Sequence, residues 1–373
     1  MSNDRIGLFT DRVALHFRVR RKLAVGEATP HIRQVRAAVK PPAKLLLLVA
    51  MILAYASSAW SDDAFYQGKR ITILIGTQSG GSMVAARIIS QYLGKYIPGN
   101  PSISVQPMLG GAHMVATNHV FNIAKPDGLT LLAANPNVAI AQLVKEEAVR
   151  FDVTKFAWIG SSGADSVVLT VRQDLPYHTF EQVQQSDREL LVGTTAVGSN
   201  AYDFPLLLKE FAGAKFKLVS GYPANPDIVL AIERKEVDVW AAFAASVRPV
   251  VQRGTVRPLI RANVPSPGFE NLPVDETFAA NPVGKTLMAI KATPLAIGRA
   301  LATSPGVAPE RINLLRNALA DAMRDAQLQA DFRKSQIDFS HISGDEVLRG
   351  FQSLMRQGSK VQQDLARYLK FGG

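Results

Sequence analysis

The chain has 373 residues, no cysteine, and a formal charge of +11 from 42 basic and 31 acidic side chains. Without cysteine it has no disulfide, no thiolate metal site and no thiol nucleophile, so core burial must hold the fold. The charge is unevenly placed: residues 1–44 carry ten basic and three acidic side chains, and about +4 remains on the rest, where Lys and Arg alternate with acids instead of forming the basic stripe a nucleic-acid partner needs.

Residues 44–60, KLLLLVAMILAYASSAW, form a Lys-led apolar run closing on small residues. About 12 apolar residues at ~1.5 Å each reach ~18 Å, short of the ~30 Å hydrocarbon core of a bilayer. A basic flank, a short apolar core (45–59) and an A-x-A exit predict a cleaved export signal, cut after Ala56 or Ala59, and hence a periplasmic protein. The preceding basic extension, 1–44, is longer than an export n-region and lacks apolar periodicity. It is expected to be disordered or an artefact of a start assigned too far upstream, with Val39 one alternative start. The pair Arg20-Arg21 stands too far from the apolar run to read as a twin-arginine signal.

About 310 residues follow, enough for two domains. Residues 71–76 are a continuous β-branched run ending on Gly, as in a strand buried on both faces. A helical pattern spans 82–97, a strand 103–107, a helix 113–123 and a strand 129–133, entered through the Asp127-Gly128 turn. Further apolar runs occur at 156–160, 167–171, 190–194, 216–220, 237–243 and 256–261. Helical patterns fall between them at 180–185, 200–211 and 226–234. This alternation predicts an α/β fold of mainly parallel sheets flanked by helices. After three prolines at 265, 267 and 273 comes a short apolar run at 286–290. Helices then follow at 309–326, 328–335 and 344–368, with Pro309 suited to a first helical position.

Searches for catalytic motifs find none. The segment 76–81 lacks the Lys-Ser/Thr of a P-loop, and Ser79 lacks the glycine two residues before it that a nucleophile elbow requires. His113 and His119 do not share a helix face. Both are expected to be surface or satisfied core residues.

One feature occurs twice. A strand runs into Thr77-Gln78-Ser79-Gly80-Gly81-Ser82 and then a helix; a second runs into Thr194-Thr195-Ala196-Val197-Gly198-Ser199-Asn200 and then a helix. Each places hydroxyls and unhindered amides at a helix N-terminus beyond the C-terminal edge of a sheet, where orphan N–H groups and the helix dipole favour an anion. Neither segment holds Lys or Arg, so the expected guest is a carboxylate or a neutral polar group. The competing reading is ordinary N-capping by Ser82 and Ser199.

These residues, taken with others, resemble a known family. The run 71–75 with Gly80-Gly81-Ser82 and Arg87, Gly110-Gly111, and Lys125-Pro126-Asp127-Gly128-Leu129-Thr130-Leu131-Leu132 resemble the substrate-binding proteins of tripartite tricarboxylate transporters, the TctC or Bug family. Residues 194–199, Gly221-Tyr222-Pro223 and Glu236-Val237-Asp238 extend the likeness over nearly the whole chain after the apolar run. The resemblance implies a two-lobed type II periplasmic binding fold, with lobe 1 at 61–152 plus 276–373 and lobe 2 at 153–275. It also implies a monomeric, non-enzymatic receptor that captures a small organic carboxylate for the membrane permease subunits of a tripartite transporter, with no cofactor, no metal and no nucleic acid. Two alternatives stand beside it: a binding protein serving a membrane sensor, and a secreted hydrolase with Ser79 or Ser199 as nucleophile.

Ligand contacts implied by the resemblance fall on Thr77, Gln78, Ser79, Gly80, Gly81, Ser82, Asn135, Thr194, Thr195, Val197, Gly198, Ser199, Asn200 and Tyr222, with Ala134, Gly221, Ala242 and Phe243 as further candidates. Two positions depart from the family pattern: Val84 stands where many relatives carry Asp, and Tyr202 where a His often follows the second loop. Loss of that Asp removes a partner for an ammonium group and favours a mono- or dicarboxylate or an aromatic acid over an amino acid.

Overall fold

A computed structural model describes residues 65–369. The basic extension and the apolar run, with the export-signal expectations attached to them, lie outside these residues.

The chain begins with β1 (Arg70–Ile75), α1 (Gly80–Tyr92), β2 (Ser102–Pro107), α2 (Met114–Asn122), β3 (Thr130–Ala133), α3 (Asn137–Leu143) and β4 (Ala157–Ser161). It then crosses to β5 (Val167–Arg172), α4 (Phe180–Gln184), β6 (Leu190–Gly193), α5 (Asn200–Phe211), β7 (Phe216–Val219), α6 (Asn225–Glu233), β8 (Val239–Phe243), α7 (Ala244–Gln252) and β9 (Val256–Arg261). The return brings α8 (Pro282–Ile297), β10 (Ala300–Thr303), α9 (Pro309–Ala322), α10 (Ala326–Lys334), β11 (Ile342–Ser343), α11 (Gly344–Met355) and α12 (Ser359–Tyr368).

Two sheets result, ordered β11-β4-β10-β3-β1-β2 and β7-β6-β8-β5-β9. The expected alternation of strand and helix is present, but the sheets are mixed instead of mainly parallel. β1 pairs parallel with β2 and β3, and β6 with β7 and β8; β10, β11 and β5 run antiparallel to their neighbours. The reason lies in how the chain changes lobes. The first residues of β10 pair with the last of β3, and Val167 at the start of β5 pairs with Phe243 at the end of β8. Each crossing strand therefore enters its sheet at the edge where the neighbouring strands finish, and must run the other way. Residues 157–161, which the sequence expectation placed in lobe 2, pair in the first sheet, and the outgoing crossing is 162–166.

Burial explains the strand composition. β5 is buried along almost its whole length, and Trp158 and Trp240 are the largest fully buried side chains, one in each sheet. Trp158 satisfies its indole by donating to the Val153 carbonyl at 2.7 Å, so its large apolar area is buried without an orphaned polar group. Polar ties join the lobes. Arg299 on the return crossing meets Asp165 on the outgoing one at 2.6 Å, both buried. Arg248 on α7 reaches Asp338, beyond α10, at 2.6 Å.

Candidate functional site

Both strand-to-helix corners are present. At the first, β1 ends and the chain turns through Gly76 to Ser79 into α1. Thr77 Oγ1 accepts from the Ser79 N–H at 3.4 Å and donates to the Ser79 carbonyl at 3.1 Å, which shapes the turn. Ser79 is the residue before the helix, in extended backbone, and its side chain makes no capping bond. At the second corner Ser199 occupies the same position before α5, again without a side-chain cap; its Oγ instead accepts from Thr195 Oγ1 at 2.8 Å. Ser82 lies inside α1. Capping by Ser82 and Ser199, the competing reading, is therefore not what these hydroxyls do, and first-turn amides of both helices are left without a side-chain acceptor.

The two corners line one cleft of about 330 Å³. It brings together Thr77, Gln78, Ser79, Gly80, Gly81, Ser82, Asn135, Thr195, Ser199 and Asn200. Thr194, Val197, Gly198 and Tyr222 do not line it. Thr194 is fully buried, its Oγ1 3.0 Å from Ser220 Oγ and 3.3 Å from the Val219 carbonyl. Gly198 directs its N–H to Asp203 Oδ1 at 3.2 Å. Tyr222 packs against the core of the second sheet around Trp240. Ala242 and Phe243 line the cleft, whereas Val84 is an exposed residue of α1 and neither it nor Tyr202 is among the lining residues.

Sequence reasoning missed two wall segments. One is 109–113, the turn after β2 that carries Gly110-Gly111 and His113; the other is Pro223, Ala224 and Asn225 at the start of α6. Both follow strands whose C-terminal ends lie at the cleft edge, so the edge rule that located the first two corners would have found them.

His113 is half-buried with its ring hydrogen-bonded, the satisfied alternative of the two expected for it. It takes a left-handed backbone (φ +77), as does Ala112 (φ +48), and its ring packs over Gly76, where an added Cβ would stand 2.6–2.8 Å from His113 atoms. Gly76 is thus required by close approach. The ring bonds the Gly76 backbone on one side and has Nε2 2.9 Å from Asn135 Nδ2 on the other. Burial pushes its pKa down to about 4, against a smaller opposing effect of the Gly76 bond. It is neutral at pH 7, and both ring nitrogens are engaged, so it is not placed as a base for Ser79 or Ser199.

Among the described residues, no Lys, Arg, Asp or Glu lines the cleft. Its electrostatics come from backbone: α1, α2, α5, α6 and α7 all begin at or beside lining residues. Each helix start carries roughly half a positive charge. That of α6 is already served by Asp227, which accepts from the Ala224 N–H at 3.0 Å. Asp203, in the first turn of α5, is turned away to Lys291 at 2.5 Å; burial pushes its pKa up and Lys291 opposes that shift. Such an arrangement can hold an anion by amides and hydroxyls; a fixed cation, Arg299, lines an adjoining cavity that shares Thr77, Ser82, His113 and Asn135 and is itself paired with Asp165.

No protein-family model and no curated protein matches the chain. Solved structures do. The periplasmic binding protein BugD is 16% identical, with a TM-score of 0.64, over 82% of this chain and 100% of its own. MatC from Rhodopseudomonas palustris, solved with bound malate, is 17% identical at a TM-score of 0.62, over 79% of this chain and 99% of its own. A TctC solute binding protein from Polaromonas, without ligand, is 19% identical at 0.58, over 81% and 99%. The chain has the type II periplasmic binding fold. In that fold the two sheets direct their strand ends at a shared crevice, and both corners described above sit there. At these identities the likeness is one of architecture, and chemistry must be argued from the residues.

Proposed function

We propose that the protein is an extracytoplasmic solute-binding receptor that captures a small carboxylate between two closing lobes. One observation carries this reading: two helix starts from different sheets, each without a side-chain cap, line a single cleft that has no Lys, Arg, Asp or Glu among its described lining residues. Closure around a ligand would exclude water and strengthen each amide–carboxylate hydrogen bond. The ligand's better contacts in the closed form would shift the population toward it. The ligand contacts are the ten expected residues that line the cleft, joined by wall segments 109–113 and 223–225. That MatC was solved with malate, and an R. palustris protein of the same fold with adipate, supports a carboxylate as guest.

The receptor serves the permease subunits of a tripartite tricarboxylate-type transporter and works in the periplasm. The alternative, delivery of the ligand signal to a membrane sensor, shares every residue of the site and separates from it only by partner. The hydrolase reading is disfavoured because His113 has both ring nitrogens engaged.

A thermal-shift screen against mono- and dicarboxylates and aromatic acids tests the proposal. A ligand at 100 times its dissociation constant adds about 2.7 kcal/mol of stability. Stabilisation by one or more acids, lost when the carboxylate is replaced by its amide, is the expected result. Absence of any shift across the library would overturn it.

A further inference from the structure

The second corner is gripped from outside the cleft. Gly198 donates its N–H to Asp203 Oδ1 at 3.2 Å, while its carbonyl accepts from Asn137 Nδ2 at 3.2 Å. The same Asn137 amide donates to Asn200 Oδ1 at 2.9 Å, and Asp203 Oδ2 meets Lys291 Nζ at 2.5 Å. All four side chains are buried: Asp203 at 0%, Asn137 at 2%, Lys291 at 3% and Asn200 at 8% exposure. Asn137 opens α3, directly after β3 of the first sheet, and Lys291 lies on α8, which leads into β10 and packs against both α3 and α5. Gly198, Asn200 and Asp203 belong with the second.

From this geometry we propose that Asn137 and Lys291 are positioning residues: Asn137 from the first lobe, and Lys291 from the helix packed between α3 and α5, set the shape of the second lobe's ligand corner, so the corner acquires its full binding geometry only when the lobes meet. Neither side chain lines the cleft. A buried ion pair is stable only with both partners present, because either charge alone in that environment is strongly unfavourable. Separating the lobes breaks the Asn137 contacts to Gly198 and Asn200 and releases the Gly198 peptide on its carbonyl side. Closure and site assembly are then a single event, and an open receptor holds its ligand at the first corner alone. The consequence for ligand affinity rests on the receptor reading; the consequence for the loop does not.

Hydrogen–deuterium exchange on the ligand-free full chain tests the loop directly. Asn137→Ala is expected to speed exchange of the 194–203 peptide at least tenfold while β6 and β8 keep wild-type rates. Lys291→Met should do the same and Lys291→Arg should restore protection. If Lys291→Met fails to fold, the double variant Asp203→Asn with Lys291→Met removes both charges together, keeps an acceptor for the Gly198 N–H, and is expected to show the same loop-specific increase. A lowered melting temperature with loop exchange within twofold of wild type would mean a purely structural role and would overturn the proposal. A ligand arm uses malate and adipate as probes: a probe that stabilises wild type should bind Asn137→Ala at least tenfold more weakly, and unchanged affinity also overturns it. If neither probe stabilises wild type, that counts against the ligand choice, and the exchange arm still decides the positioning role.

Discussion

Gly81 offers the sharpest test of closure. It stands in the first turn of α1, and a Cβ added there would lie 2.9 Å from the Ala245 Cβ on α7, across the cleft from one lobe to the other. Ordinary contact begins at 3.4–4 Å, so even Gly81→Ala must force the helices apart by about 0.5–1 Å, and Gly81→Val by more. Overpacking of this kind costs about 1–3 kcal/mol, and on the receptor reading it falls on the form in which the lobes meet. Taking ~2 kcal/mol, ligand affinity drops about 30-fold. A ligand at 100 times the wild-type dissociation constant would then stabilise the variant by only ~0.9 kcal/mol instead of ~2.7. At ~3 °C per kcal/mol, the thermal shift falls from ~8 °C to ~3 °C. Thermal shift and calorimetry with the best acid from the screen measure this. Adding Ala245→Gly to Gly81→Ala should restore most of the affinity, because it removes the atom that is struck. Wild-type affinity in Gly81→Val, or no rescue by Ala245→Gly, would refute the contact as the point where closure is felt.

Ser199→Ala should weaken ligand binding while changing the stability of the free protein by less than ~0.5 kcal/mol, since its hydroxyl makes no cap; a loss of ~1 kcal/mol with unchanged affinity would restore the capping reading. Asp275 is buried with Oδ1 unpartnered, and burial raises its pKa to about 7 from an ordinary 3.8. The folded chain therefore holds that proton longer than the unfolded one, and stability from this group falls as pH rises from about 4 to 7. Asp275→Asn should be the more stable protein at pH 8 by about 1–3 kcal/mol, with the advantage gone at pH 4, as read by urea unfolding at both values. His113 acts in the opposite sense: its folded pKa near 4 lies below the unfolded 6.5, so its contribution is present above pH 6.5 and is lost as pH falls toward 4. His113→Asn should be less sensitive than wild type to acid between pH 6.5 and 4; an identical slope would show that the ring is not held neutral.

Much of this was legible from local chemistry. The strand at 70–75 and the helix behind it follow from a β-branched run and a 3.6-residue period, and Gly80-Gly81-Ser82 and 195–200 mark turns that admit close approach. What escaped has specific causes. α7 carries Pro249 and α8 carries Pro294 within the helix, which hides their period, and α3 is only seven residues long. β10 is Ala-Leu-Ala-Thr, four residues of weak strand preference, and it reverses the direction of the sheet it enters. The place of His113 in the cleft wall escaped because nothing in its neighbours signals the left-handed backbone that folds its ring over Gly76.

The sequence by itself determined most of the strands and helices, the two anion-favouring corners and the absence of Lys or Arg within them, because periodicity, turn chemistry and residue type are local properties. Only tertiary structure decided that the corners share one cleft, that Ser199 bonds Thr195 instead of capping its helix, and that Gly198 is held from the opposite lobe. Those outcomes depend on contacts between residues as far apart as Asn137 and Gly198, or Asp203 and Lys291, and no local pattern encodes which distant side chain will arrive.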